Sequence, residues 1–210
     1  MSTLRLMQAA GGYASRTMTN ASQADLTVAF ALNFLTAGER LTHRASKPDY
    51  LAIDVRQSVE LSERQLRHRL SLPASSGRAV RTLNVAGNSI ATFDLLGWTQ
   101  ERVDRYIGHV LYLVHAQRPI QHIRSGGQTG ADMAGLVAAV ALGIEATGYF
   151  PKGYLQRGTD RQDISRDPRV LREEIEQRAA LLRQELATLS GDLAPGLDGA
   201  AASSSSSLTL

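Results

Sequence analysis

Downstream of Arg124 the chain runs RSGGQTGADMAG, where Gly126, Gly127 and Gly130 interleave with Ser125, Gln128, Thr129 and Asp132 before an apolar run. These types suit an anion. Glycine lets a phosphate approach the backbone with no Cβ in the way. The start of a helix presents free N–H groups at its positive end. Ser125 and Thr129 add hydroxyl donors, and Asp132 is placed to accept a ribose hydroxyl or to orient a water. Strand-to-helix turns contain glycine for structural reasons too, so one such loop decides nothing.

Three further segments share its character: Thr36-Ala-Gly38-Glu39 entering a helix, Asn84 leading to Gly87-Asn88-Ser89, and Pro151-Lys152-Gly153. Four small, glycine-containing loops at strand ends make one rim, which is where an open parallel sheet binds ligands. Lys152 is singled out because Lys47 and Lys152 are the only lysines among 23 basic residues. Glu39 is expected across the cleft from Asp132, although either carboxylate also suits the first turn of a helix. The loop is not a Walker motif, since no lysine follows its glycines, and it lacks the G-x-G-x-x-G pattern. The five histidines show no metal-ligand spacing, and no metal site is expected.

Elements that position this rim are legible as short apolar runs alternating with helical patterns, a doubly wound α/β domain with a mostly parallel sheet of about five or more strands. Strands are predicted from Leu26, Tyr50, Thr82, Gln121 and Glu145. Helices are predicted from Thr36, with Glu39 suiting a capping box, over the short SERQLRHRL segment, from Thr99, and over the small-residue stretch closed by Gly143. Asp167 and Pro168 form a helix start, and Leu171, Ile175, Ala179, Leu182, Leu186 and Leu189 make one apolar face. That face docks on its own domain or forms a dimer seam. The boundaries read as a domain over 1–165, a helix over 166–191 and a flexible Ser-rich tail over 192–210.

At 210 residues, 43% hydrophobic, the chain can build one core. No run reaches the ~18 apolar residues of a membrane span, and the N-terminus lacks the apolar stretch of a signal peptide. With no cysteine there is no disulfide or thiol chemistry. A cytoplasmic location is the simplest expectation. A net charge of +3 with 5% aromatics and dispersed arginines offers no groove for nucleic acid.

SGGQTGAD, its alanine-rich helix and PKG together resemble the molybdenum-carrier family, a YpsA-like branch of the Rossmann-like SLOG superfamily. SRTMTNASQADLTVAF, TAGERLT, KPDYLAIDV and LNVAG resemble further segments of that family, covering most of residues 16–160. The two halves are exchanged, as in a circular permutation, and in TAGE an alanine and a glutamate replace a family glycine and threonine. The resemblance implies a three-layer Rossmann-like fold and a ligand site at Ser125, Gly126, Gly127, Thr129, Gly130, Asp132 and Lys152, joined by Arg16, Asn20, Thr36, Gly38, Asn84 and Gly87. It implies a small phosphorylated, nucleotide-like ligand that is sensed, carried or sequestered. A molybdenum cofactor, itself a phosphorylated heterocycle, is a variant of that ligand.

The rival readings are an N-glycosidase of the LOG type, with Glu39 or Asp132 as catalytic carboxylate, and a DprA-like DNA-binding protein. The LOG motif Pro-Gly-Gly-x-Gly-Thr-x-x-Glu is absent, so a binding protein is read ahead of an enzyme. On this reading the phosphates lie on the helix starts after Gly130 and Gly38 near Lys152, and Asp132 or Asn84 takes ribose or base edges. A bulky residue at Gly127, or Lys152→Ala, is then expected to abolish binding and leave the fold intact.

Overall fold

The computed structural model describes residues 3–192. The strands are β1 (Leu4–Gln8), β2 (Leu26–Ala31), β3 (Tyr50–Asp54), β4 (Thr82–Gly87), β5 (His122–Ser125) and β6 (Glu145–Phe150), with a small hairpin of β7 (Leu155–Arg157) and β8 (Asp163–Ser165). The helices are α1 (Tyr13–Ser22), α2 (Ala37–Ser46), α3 (Val59–Ser71), α4 (Ile90–Phe93), α5 (Gln100–Gln117), α6 (Ala131–Leu142) and α7 (Pro168–Asp192). The five strands read from sequence are all present.

The first six strands form one parallel sheet in the order β1-β6-β5-β4-β2-β3. Every residue of β2 is buried, as expected of an inner strand covered on both faces. From β2 the chain passes through α2 to β3 on one side. It then crosses back through α3 to β4 on the other side and continues outward to β5 and β6. Strand order therefore reverses between β2 and β4, and the loops leaving these strands diverge into a crevice.

Two helical layers cover the sheet. On one face α6 packs over β4, β5 and β6, with α5 and α7 beside it and α3 against α5. Its small residues allow close approach, because a Cβ at Gly135 would collide with Val85 of β4. Asn84 and Ala86, alternating with Val85, point to the opposite face, where α1 and α2 pack on each other and α1 reaches β6. Gly143 closes α6 in the left-handed conformation at φ 75°. Thr36 and Thr99 cap α2 and α5 by accepting hydrogen bonds from Glu39 N and Arg102 N.

The chain departs from the sequence reading at four places. β1 is an edge strand with only Leu4 buried, too polar to stand out as an apolar run. Helix α1 takes five of its ten residues from serine, threonine and asparagine, poor helix formers, and its packing on α2 and β6 offsets that propensity. The β7–β8 hairpin follows Lys152. The SERQLRHRL helix is longer than expected, starting at the Ser58 cap.

Helix α7 begins as read, with Asp167 Oδ1 accepting from Arg169 N at 2.7 Å and from Val170 N at 3.3 Å. Leu171, Ile175, Ala179, Leu182 and Leu186 are buried, while Leu189 is 38% exposed. Gly108 of α5 leaves the space that Leu182 fills. The apolar face is thus used within the chain. The tail expected over 192–210 lies outside the described residues from 193 onward, and Asp192 belongs to α7. Ile175→Ala is predicted to cost about 3 kcal/mol in urea denaturation, as for truncation of a fully buried aliphatic side chain; a loss below about 1 kcal/mol would contradict this docking.

Candidate functional site

The crevice at the strand-order reversal is held open by Asn88. Its Oδ1 accepts from Leu32 N and Asn33 N, both at 2.9 Å, and its Nδ2 donates to Asn33 O at 3.0 Å. Its backbone carbonyl accepts from Ala131 N at 3.0 Å. One buried amide residue thereby fixes the loops after β2 and β4 and the start of α6. Gly87 before it has φ 151°, and a Cβ there would strike the Phe30 carbonyl.

The SGGQTG loop is tied down rather than open. Ser125 Oγ lies 2.8 Å from both Val85 O and Asp132 O, so its hydroxyl serves the backbone. Gly127 (φ 66°) faces the Phe150 ring, and Gly130 (φ 88°) faces the Asn88 carbonyl. Gly130 N donates to Gln100 Oε1, Ala131 N to Asn88 O, and Thr129 N to Gln128 Oε1. The Thr129, Gly130 and Ala131 N–H groups at the start of α6 are therefore occupied by protein acceptors. A side chain at Gly127 would meet Phe150 in a backbone conformation only glycine adopts readily, so substitution there tests the fold and not binding.

A circuit of polar groups holds this loop from both sides. Gln156 Nε2 donates to Gly127 O, Arg166 donates to Gln156 and Glu174, and Arg178 donates to Glu174 and Asp104. Asp104 accepts from Gln100 Nε2, which also donates to Gly130 O. The circuit closes on the loop it started from, linking it to α5, α7 and the small hairpin.

Beside the loop lies a cavity of about 540 Å³, within the range of small-molecule sites. Its walls are Tyr13, Arg16, Thr17 and Asn20 from α1, Thr36, Gly38, Glu39 and Thr42 from α2 and its cap, and Asn84, Ala86, Gly87, Asn88, Ser89 and Thr92 around the end of β4. Gly126, Gln128, Asp132 and Arg157 complete it. Of the residues read from sequence, Arg16, Asn20, Thr36, Gly38, Glu39, Asn84, Gly87, Gly126, Gln128 and Asp132 meet here. Ser125, Gly127, Thr129 and Gly130 support the wall without lining it, and exposed Lys152 lies outside it.

Sequence reasoning missed Tyr13, Thr17, Thr92 and Arg157. Tyr13, Arg16, Thr17 and Asn20 recur at intervals of three and four, a polar stripe that would have revealed both α1 and its inward face. Arg157 arrives on the hairpin, where it pairs with Asp163 at 2.8 Å and lies over the Tyr13 ring, and Tyr13 OH donates to Asp163.

Charge inside the cavity is nearly balanced. Asp132 is ion-paired with Arg16, whose guanidinium lies where a Cβ on Gly126 would sit. Burial raises the Asp132 pKa and the Arg16 pairing opposes that rise. Glu39 is 2% exposed and its pKa is pushed up to about 8, mainly by burial and secondarily by Asp132. Near neutral pH it is a carboxylic acid. Arg16 Nε, Asn20 Oδ1 and Glu39 Oε2 are buried with no protein partner, a costly state for polar groups.

The Glu39 shift has a stability consequence. Between 4.5 and about 8 the unfolded chain has lost the Glu39 proton and the fold retains it, so stability falls as pH rises through that window. Glu39→Gln removes this dependence. The stability of wild type relative to the variant is predicted to drop by up to about 1.4 kcal/mol per pH unit across the window. Urea denaturation of both proteins at several pH values checks it, and a constant difference between pH 5 and 8 would contradict it.

Residues 123–183 match the model of the circularly permutated YpsA SLOG family. No curated protein and no solved structure gives a match. The matched segment runs from β5 through the SGGQTG loop, α6 and the small hairpin into α7, one wall of the cavity and the circuit behind it. Over that segment the chain carries the signature of a YpsA-like SLOG protein of the circularly permuted kind.

Proposed function

We propose that the protein binds a small nucleotide-like ligand in the crevice between α1 and α2. What supports this reading is that Arg16, Asn20 and Glu39, each with a buried and unpartnered side-chain atom (Nε, Oδ1 and Oε2), line one cavity at the strand-order reversal. The SLOG signature supports a nucleotide-related ligand in general terms. A nucleobase or ribose satisfies such a mixture of donor and acceptors. The anion site shifts from the start of α6 to that of α2, where Thr36, Ala37 and Gly38 line the cavity and a first helical turn has N–H groups to offer. A molybdenum cofactor falls within the same chemical class.

A buried carboxylic acid also favours a second reading. Glu39 is suited to protonate the leaving base in N-glycosidic hydrolysis. Release of free base from a nucleotide panel would support that reading, and intact nucleotides after prolonged incubation would exclude it.

Gly38 supplies the direct test of binding, because a Cβ there meets nothing within 4 Å. Gly38→Phe fills the cavity mouth without a clash in the core. In calorimetry with the ribonucleosides and their 5′-monophosphates, Gly38→Phe is predicted to weaken binding at least tenfold with Tm unchanged, whereas Lys152→Ala binds like wild type. The reverse pattern, loss with Lys152→Ala and none with Gly38→Phe, would place the ligand elsewhere.

A further inference from the structure

The interior of the cavity is built without a spare positive charge. Arg16 is committed to Asp132 and Arg157 to Asp163. Among the described residues lining the cavity, the one acidic group without a counter-ion is Glu39, at the start of α2, whose Oε2 is sealed from solvent and unpartnered. An ionised carboxylate in that position would be desolvated and would lie beside the Asp132 carboxyl. An uncharged carboxyl instead presents a hydroxyl donor to the cavity.

Building on the binding reading above, we propose that Glu39 recognises the ligand as an uncharged hydrogen-bond donor. It would select a neutral polar head that offers an acceptor, such as a nucleobase or ribose oxygen, and release that head when it ionises. The ligand's negative charge is then kept toward the mouth, at Thr36 and Gly38. Affinity is set by the head and not by the number of phosphates. A polyphosphate gains nothing over a monophosphate, because among the described residues no free cation lines the cavity to meet it.

The titratable and charged groups around Glu39 come from α6, α1, β3 and its own helix. Asp132 faces it from α6 and is tied to Arg16 of α1. Tyr50 of β3 feels Glu39, and its hydroxyl is raised above the usual tyrosine range by burial first and by Glu39 second. His43, on the same helix, has its ring against Tyr50. Tyr13, at the far wall, is raised by burial. Glu39 itself is pushed up to about 8, so the neutral carboxyl is the form that meets a ligand at physiological pH.

The test uses calorimetry with the four ribonucleosides and their 5′-monophosphates and diphosphates from pH 6.5 to 9.5, on wild type, Glu39→Gln and Glu39→Met. Comparing variants with the same ligand cancels the ligand's own titration. Wild-type affinity is expected to fall about tenfold per pH unit above pH 8. Glu39→Gln, whose amide still donates, is expected to show no such fall. Glu39→Met, close in shape and without a donor, is expected to lose at least tenfold at pH 6.5. Binding that persists in Glu39→Met, that shows the same pH profile in Glu39→Gln as in wild type, or that tightens stepwise with each phosphate would overturn the proposal. The ¹³C titration of the Glu39 carboxyl in the free protein separates the two claims. Titration in the ordinary carboxylate range overturns this proposal alone. Titration near pH 8 with no binding by any of these probes overturns the binding reading, and with it the ligand assigned to Glu39.

Discussion

The ion pair between Arg16 and Asp132 is the interaction on which the site depends. It joins helix α1, which follows the edge strand β1, to the first turn of α6, which follows the inner strand β5. Both side chains are nearly sealed from water, so each charge is tolerable only because of the other. The pairing also explains Gly126, because the guanidinium occupies the volume any larger residue would need. Without it α1 would lose its ionic anchor over the crevice and keep only the hydrogen bonds from Tyr13 to Asp163 and from Asn20 to the Tyr149 carbonyl.

With that pair in place, the remaining charges follow. Asp132 is held beside Arg16 and raises the cost of a second carboxylate nearby, which reinforces what burial already does to Glu39. The cavity becomes polar but close to uncharged, lined by groups that seek hydrogen bonds more than counter-ions. The glycine-rich loop takes a supporting role. Its backbone is consumed by Asn88, Gln100, Gln128 and Gln156, and the Arg166–Glu174–Arg178–Asp104 network ties it to the long C-terminal helix. Helix α7 is thus part of the scaffold of the site as well as a cover for α5 and α6.

Much of this architecture was legible in the residues. The inner strands announce themselves as apolar runs, and the caps at Thr36, Thr99 and Asp167 and the left-handed Gly143 follow local rules that tertiary packing did not override. β1 and α1 were not legible, because an edge strand and a polar lid helix lack the apolar signal that marks buried elements. Ten of the residues read as candidates meet in one cavity, which reflects the rule that ligands gather where strand order reverses. The SGGQTG loop, read from sequence as a phosphate cradle, is packed in the structure into the wall of the cavity. Glycines that suit a phosphate cradle equally suit close packing against Phe150 and the Asn88 carbonyl, and composition cannot tell the two apart. Lys152 was favoured for its rarity, whereas Arg157, one strand later, reaches the cavity.

On the proposed reading the ligand sits between α1 and α2 and not on the glycine loop at the start of α6. A crystal structure of the protein soaked with a ribonucleoside 5′-monophosphate tests it most directly. The account predicts density in the crevice, within hydrogen-bond distance of Arg16 Nε, Asn20 Oδ1 and Glu39 Oε2, with the phosphate toward Gly38. Density at the Gly130 end of α6 beside Lys152, with the crevice holding only water, would contradict it.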